Sequence, residues 1–198
     1  MRLLELFSGT KSVSKVAETF GFDVISLDFK KADINCNILD WDYTIYQSGY
    51  FDVVWASPPC TEYSIAKSTG IRKIDDANKI GLRTIDIIKY FNPTHYIIEN
   101  PQTGLLKHQY FMNDLPYVDV DYCKYGMPYR KRTRLWNNVF QWILKPLCLK
   151  DCERMNGNRH KATAQRGQID NTSFKQSDLY VIPKSLIYDI FNSMFFVS

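Results

Sequence analysis

The chain has 198 residues, 45% of them hydrophobic and 23% charged, with a formal net charge of +4. That length holds one sizeable core and is short for two, so a single domain over residues 1–198 is expected. No apolar run is long enough for a membrane span, and Met1 to Phe7 read straight into a strand rather than a signal peptide, so a soluble cytoplasmic protein is expected. The five cysteines are odd in number and lack the spacing of a disulfide framework, which leaves thiols, catalytic groups or metal ligands. The mild positive charge permits nucleic-acid binding, and Arg130, Lys131, Arg132 and Arg134 concentrate it.

In chain order, Leu3 to Phe7 predicts a buried strand ending at Ser8-Gly9-Thr10. Val13, Val16, Ala17 and Phe20 recur at helical spacing, with Gly21 as the stop. Asp23 to Asp28 predicts a second strand, and Ala32 to Leu39 a third, shorter one. Phe51 to Ala56 predicts a central strand, closed by Ser57-Pro58-Pro59-Cys60 because proline has no amide to donate to a ladder. Ala77, Ile80, Ile85, Ile88 and Phe91 form a helical stripe closed by Asn92-Pro93. Further strands are expected at Tyr96 to Ile98, Val118 to Cys123 and Arg134 to Trp136, and a last amphipathic helix after Ile182-Pro183.

Strands alternating with helices predict an α/β fold with a mostly parallel sheet, whose binding crevice lies beyond the carboxyl ends of the strands. Ser8-Gly9-Thr10, Asp28, Pro59-Cys60 and Glu99-Asn100 all fall at such ends. Cys60 reads either as a small buried hydrophobe or as a nucleophile held by a rigid loop, with partial positive charge from a following helix. Glu99 reads as a cap or ion-pair partner, or as a general acid or hydrogen-bonding anchor at the crevice. Asp28 reads as a turn cap or as an acceptor for ribose hydroxyls. Tyr122, Tyr125 and Tyr129 beside the arginines read as core packing or as a nucleic-acid groove.

The set Phe7-Ser8-Gly9-Thr10, Ser57-Pro58-Pro59-Cys60 with Tyr63-Ser64, Ile98-Glu99-Asn100, and Tyr125-Gly126-Met127-Pro128 with Arg132-Thr133-Arg134 resembles the DNA cytosine-5 methyltransferase family in order and spacing. It is most similar to compact phage- or virus-type members, from Leu3 to about Trp136 and again from Tyr180 to Leu186. The resemblance implies a Rossmann-like, S-adenosylmethionine-dependent methyltransferase fold acting on double-stranded DNA with the target cytosine flipped out. It implies Cys60 as the nucleophile at carbon 6, Glu99 on nitrogen 3 and the exocyclic amine, and Arg134, with Arg132 beside it, near the base. Phe7, Gly9, Thr10, Asp28, Asn37 and Pro59 would hold the cofactor, and Ser64, Arg132 and Arg166 would contact nucleic acid. It also implies a bacterial or virus-infected cell as the setting, with modification of the chain's own genome or protection from restriction as the purpose.

The chain departs from the family's usual pattern at Lys11, where a second glycine is usual, at Asn37, where an acid is usual, and at Thr61 and Tyr129, where glutamines are usual. The interval Asn137 to Leu179 is short for a target-recognition region, so a short recognition sequence or a helping partner is expected. Within it Cys148, Cys152 and His160, with Cys123 as a fourth ligand, read as a zinc site or as free thiols beside a surface histidine. An RNA cytosine-5 methyltransferase and a catalytically idle nucleic-acid-binding derivative are the competing readings. A plain nucleotide-dependent oxidoreductase leaves Pro59-Cys60 and Glu99-Asn100 unexplained.

Overall fold

The computed structural model describes residues 1–67, 69–139, 141–164, 167–168 and 174–195. Seven strands form one sheet: β1 (Arg2–Leu6), β2 (Asp23–Asp28), β3 (Ile34–Asn35), β4 (Val53–Ala56), β5 (His95–Pro101), β6 (Tyr117–Asp121) and β7 (Arg132–Asn137), in the order β3-β2-β1-β4-β5-β7-β6. The first five run parallel, and β7 lies antiparallel between β5 and β6. The switch point falls at β1, where the chain turns from β2 and β3 on one side to β4 on the other. β4 is buried at all four positions and β1 at four of five, as expected of central parallel strands covered on both faces.

Two apolar layers enclose the sheet. On one face Val13, Val16 and Ala17 of α1 (Ser12–Thr19) meet Trp55, Leu135 and Phe191, the last from a C-terminal helix over Lys184–Phe195. On the other, α2 (Ile74–Phe91) sets Ile87, Ile88 and Phe91 against Val54, Phe51 and Trp41. Asp75 and Asp76 favour the N-terminus of α2 and Lys89 its last turn, in the sense of the helix dipole. Asn92 ends α2 in the left-handed conformation, φ 45°, immediately before Pro93.

The third strand is shorter than its apolar run predicts. Asp33 turns back to accept hydrogen bonds from Ser26 N and Oγ, and Asn35 bonds Ala32, so side chains take the place of a longer ladder. The sixth stops at Asp121, and Tyr122–Tyr125 tighten into a 3-10 turn closed by Gly126 at φ 89°. Tyr122, Tyr125 and Tyr129 are all buried in the layer beside α1, which makes them core and not a groove lining. After β7 come short hairpin strands, β8 (Met155–Asn156) with β9 (Arg159–His160) and β10 (Ala162–Thr163) with β11 (Gly167–Gln168), then α3 (Gln176–Leu179) and α4 (Lys184–Phe195). Among the described residues no helix is long and apolar enough to cross a membrane.

Glu5, in the middle of β1, is 3% exposed and caps α1 by accepting the Ser14 N–H and hydroxyl. Burial raises its carboxyl from 4.5 to about 6, against the lowering effect of those hydrogen bonds. A raised acid favours the protonated fold. Its contribution is therefore greatest below the unfolded value of 4.5 and is lost as pH climbs to about 6. Glu5→Gln keeps the acceptor and removes the charge. It is expected to stabilise the protein at pH 7–8 by about 1–2 kcal/mol and to flatten that fall, as read by thermal unfolding across pH.

Candidate active site

The carboxyl ends of β1, β2, β4 and β5 converge on one edge and carry Phe7–Thr10, Asp28, Ser57–Cys60 and Glu99–Asn100. The loop after β1 alternates hand: Phe7, Gly9 and Lys11 all have positive φ, at 61°, 43° and 53°. Successive amides in such a loop form a concave nest, and strain of this kind collects at functional sites. Lys11 thus adopts a left-handed conformation of the kind that favours glycine. Asp28 holds the loop, accepting from Gly9 N at 2.9 Å and Phe29 N at 2.7 Å.

These strand ends surround a cavity of about 290 Å³. Two of its lining atoms, Ser8 Oγ and Asn100 Oδ1, are buried without a hydrogen-bond partner among the described residues. A buried orphan costs about 1–3 kcal/mol, so a polar ligand suits this cavity better than an empty one. A second, wider cavity of about 830 Å³ lies beyond it, with Ser64, Lys67, Arg130 and Arg132 on its walls. Cys60, Thr61, Pro101, Lys131 and Tyr180 border both.

Cys60 is half-buried, and burial pushes its thiol above the ordinary range; the Lys131 charge pulls it down and Glu99 pushes it up. No helix begins directly after it: residues 61–63 are turns and α2 starts only at Ile74, so the nearby positive charge is Lys131 and not a helix terminus. Asn100 Nδ2 donates to Pro58 O at 2.8 Å and ties the Pro-Pro-Cys loop to β5. Glu99 is 6% exposed; Tyr122 donates to its Oε1 at 2.9 Å and Lys131 Nζ stands 3.5 Å away.

Of the residues singled out from sequence, Phe7, Gly9, Thr10, Asp28, Pro59, Cys60 and Glu99 line the smaller cavity, and Ser64 and Arg132 the larger. Arg134 lines neither. Glu99 pairs with Leu135 across β5 and β7, so residues 133 and 135 share its face while Arg134 faces the other way. There its guanidinium grips Asp119 at 2.7 and 3.0 Å and lies 3.5 Å over the Tyr117 ring. Lys131 is the cation beside Glu99, and its signal is this same period of two, legible only once the register is known. Asn37 also stays out of the cavity lining, its amide oxygen accepting from Leu39 N. Arg166 lies outside the described residues.

Asp121 is 1% exposed and bonds Arg132 through both oxygens at 3.1 and 2.7 Å, Arg130 at 3.3 Å, and the Cys148 amide at 3.0 Å. The arginines hold its carboxyl below the usual range despite burial. Cys123, Cys148, Cys152 and His160 come together, with their ligand atoms all within 4.8 Å of one another.

No family model matches the chain. It is 34% identical over 212 aligned positions to the "Probable DNA (cytosine-5)-methyltransferase" of Frog virus 3 (isolate Goorha), covering 96% of this chain and 98% of that protein. Among solved structures it is similar to one described as a "putative DNA modification methyltransferase encoded within prophage" (E. coli), with 16% identity, a TM-score of 0.53 and 69% of this chain covered. It is also similar to the Entamoeba histolytica methyltransferase EhMeth, with 20% identity, a TM-score of 0.54 and 74% covered. The chain spans only 46% and 56% of those two chains, and at these identities they establish the fold alone. The near-complete match to the viral protein establishes more: the chain belongs to the DNA (cytosine-5)-methyltransferase family.

Proposed function

We propose that the protein transfers a methyl group to carbon 5 of cytosine in DNA, with Cys60 as the nucleophile. The observation that carries this is the position of Cys60 and Lys131 on the border between a small cavity with orphaned polar atoms and a wide groove with basic walls. A reaction between a bound cofactor and a base extruded from a duplex needs this two-chambered layout.

The smaller cavity suits S-adenosylmethionine, which when bound supplies the methyl group. Phe7, Gly9 and Thr10 would contact it from the nest, Asp28 would accept from its ribose, and Pro59 would pack against it. Asp28→Ala is expected to weaken S-adenosylmethionine binding roughly 10- to 100-fold by calorimetry, the range for a lost hydrogen bond to a charged group.

In the wider groove, Ser64, Arg130 and Arg132 suit a phosphate backbone. The Cys60 thiolate would attack carbon 6 of the flipped cytosine, forming an Sγ–C6 bond and turning carbon 5 into an enamine-like nucleophile. Glu99 would donate a proton to nitrogen 3 as that bond forms and accept from the exocyclic amine, which leaves the ring neutral and the electron pair on carbon 5. Lys131, against Glu99 and within the field of Cys60, would favour the thiolate. Once carbon 5 carries the methyl group, its proton leaves to a base, the electron pair re-forms the ring double bond, and the Sγ–C6 bond breaks. Residues 137–179 would serve as a compact target-recognition segment within the single domain.

The test is transfer of tritiated methyl groups to unmethylated duplex DNA and to transfer RNA. Incorporation at carbon 5 of cytosine in DNA is the expected result. Incorporation in RNA alone would replace DNA as the substrate, and S-adenosylmethionine binding without incorporation in either would favour an idle derivative.

A further inference from the structure

Three of the chain's five cysteines and one of its three histidines meet at a single point, remote in sequence and outside both cavities. Cys123 comes from the turn after β6, Cys148 and Cys152 from the loop after β7, and His160 from the β8–β9 hairpin. His160 Nε2 lies 3.2 Å from Cys148 Sγ and 3.7 Å from Cys123 Sγ. A tetrahedral zinc ion with Zn–S near about 2.3 Å and Zn–N near about 2.0 Å sets its ligand atoms roughly 3.5–3.8 Å apart; the Cys123–His160 separation falls in that range, the Cys148–His160 one is slightly shorter, and all four ligand atoms lie within 4.8 Å of one another.

Between Cys148 and Cys152 the loop bends at Lys150, which takes a left-handed φ of 68°. Cys148, Cys123 and His160 are also buried, at 4%, 6% and 9% exposure, while Cys152 is half-buried and gives access from solvent.

We propose that Cys123, Cys148, Cys152 and His160 bind a structural zinc ion that fastens residues 148–164 to the sheet as one wall of the basic groove. Zinc binding would deprotonate the three thiols, releasing their protons to solvent, and leave His160 neutral. Four protein ligands close the shell, so the ion has no open position for catalysis. The ion would sit beside Asp121, which holds the Cys148 amide together with Arg130 and Arg132. From there the segment runs to Ala162, whose carbonyl accepts the Arg130 amide, and to Ala164, whose amide donates to Arg130 O. Arg130, Thr163 and Ala164 all border the groove. The metal site stands on its own geometry, and its part in holding DNA rests on the methyltransferase reading.

The experiment takes the full chain purified without chelator. Metal analysis should find one zinc per chain in the wild type and in Cys36→Ser, and little in Cys152→Ser or His160→Ala. Cobalt substitution should give the thiolate charge-transfer and tetrahedral ligand-field bands of a site with three sulfur ligands and one nitrogen, a readout that needs no variant to fold. Freely reactive thiols at all five cysteines with no bound metal, or zinc undiminished in both ligand variants, would overturn the site. Zinc removal should lower the thermal midpoint by at least about 5 °C. It should also weaken duplex binding roughly tenfold while S-adenosylmethionine binding holds. Equal loss of both would overturn the groove-wall role. Zinc bound as described in a protein without methyl transfer would leave the site standing and remove the methyltransferase reading alone.

Discussion

Cys60→Ala is expected to lower methyl transfer to DNA by at least about a thousandfold while S-adenosylmethionine binding changes little. Carbon 5 of cytosine is a poor nucleophile until a covalent bond at carbon 6 disrupts the ring, and among the described residues on the border of the two cavities Cys60 carries the one thiol. Thr61 is adjacent, but its hydroxyl lacks the ionisable thiol's reactivity. The loop itself survives the substitution, since Asn100 holds it through the Pro58 carbonyl and not through residue 60. Calorimetry for the cofactor beside tritium incorporation separates the two effects. A variant that still methylates within about tenfold of wild type would remove Cys60 from the chemistry.

The second large effect is expected at Lys131. Lys131→Met should reduce kcat roughly 10- to 100-fold and move the rising limb of the pH–rate profile to higher pH. Burial raises the Cys60 thiol, Lys131 opposes that rise and Glu99 adds to it, so activity should climb with pH as the thiolate forms. Deleting the cation leaves the two raising influences unopposed by it. Arg134→Met should leave the profile in place and lower stability by about 1–3 kcal/mol, because it strips a mostly buried Asp119 of its partner. The opposite pattern, with Arg134 moving the profile and Lys131 not, would reverse the assignment.

That contrast marks where the chain can be read from sequence and where it cannot. The strand ends at Ser8-Gly9, Asp28, Pro59-Cys60 and Glu99 are legible because apolar runs broken by glycine, proline or an acid announce themselves locally. The choice between Lys131 and Arg134 is not. It depends on which residue of β7 stands opposite Glu99, and a slip of one position sends every side chain to the other face. The third strand reads too long for a similar reason: the hydrogen bonds from Ser26 to Asp33 compete with the ladder and have no signature in hydrophobicity. Tyr122, Tyr125 and Tyr129 suit either a core or a groove by composition, and only packing decides between them. The cysteines and His160 are visible as ligand types, but their separations in sequence fit no common finger, so their meeting point is a property of the fold.

The hydrogen bond from Asn100 to Pro58 has one more consequence. Asn100 follows Glu99 directly on β5, so the group expected to grip the base and the loop expected to attack it are joined through a single rigid amide. The spacing between the attacking loop and Glu99 is therefore tied by a hydrogen bond between the loop at the end of β4 and the end of β5.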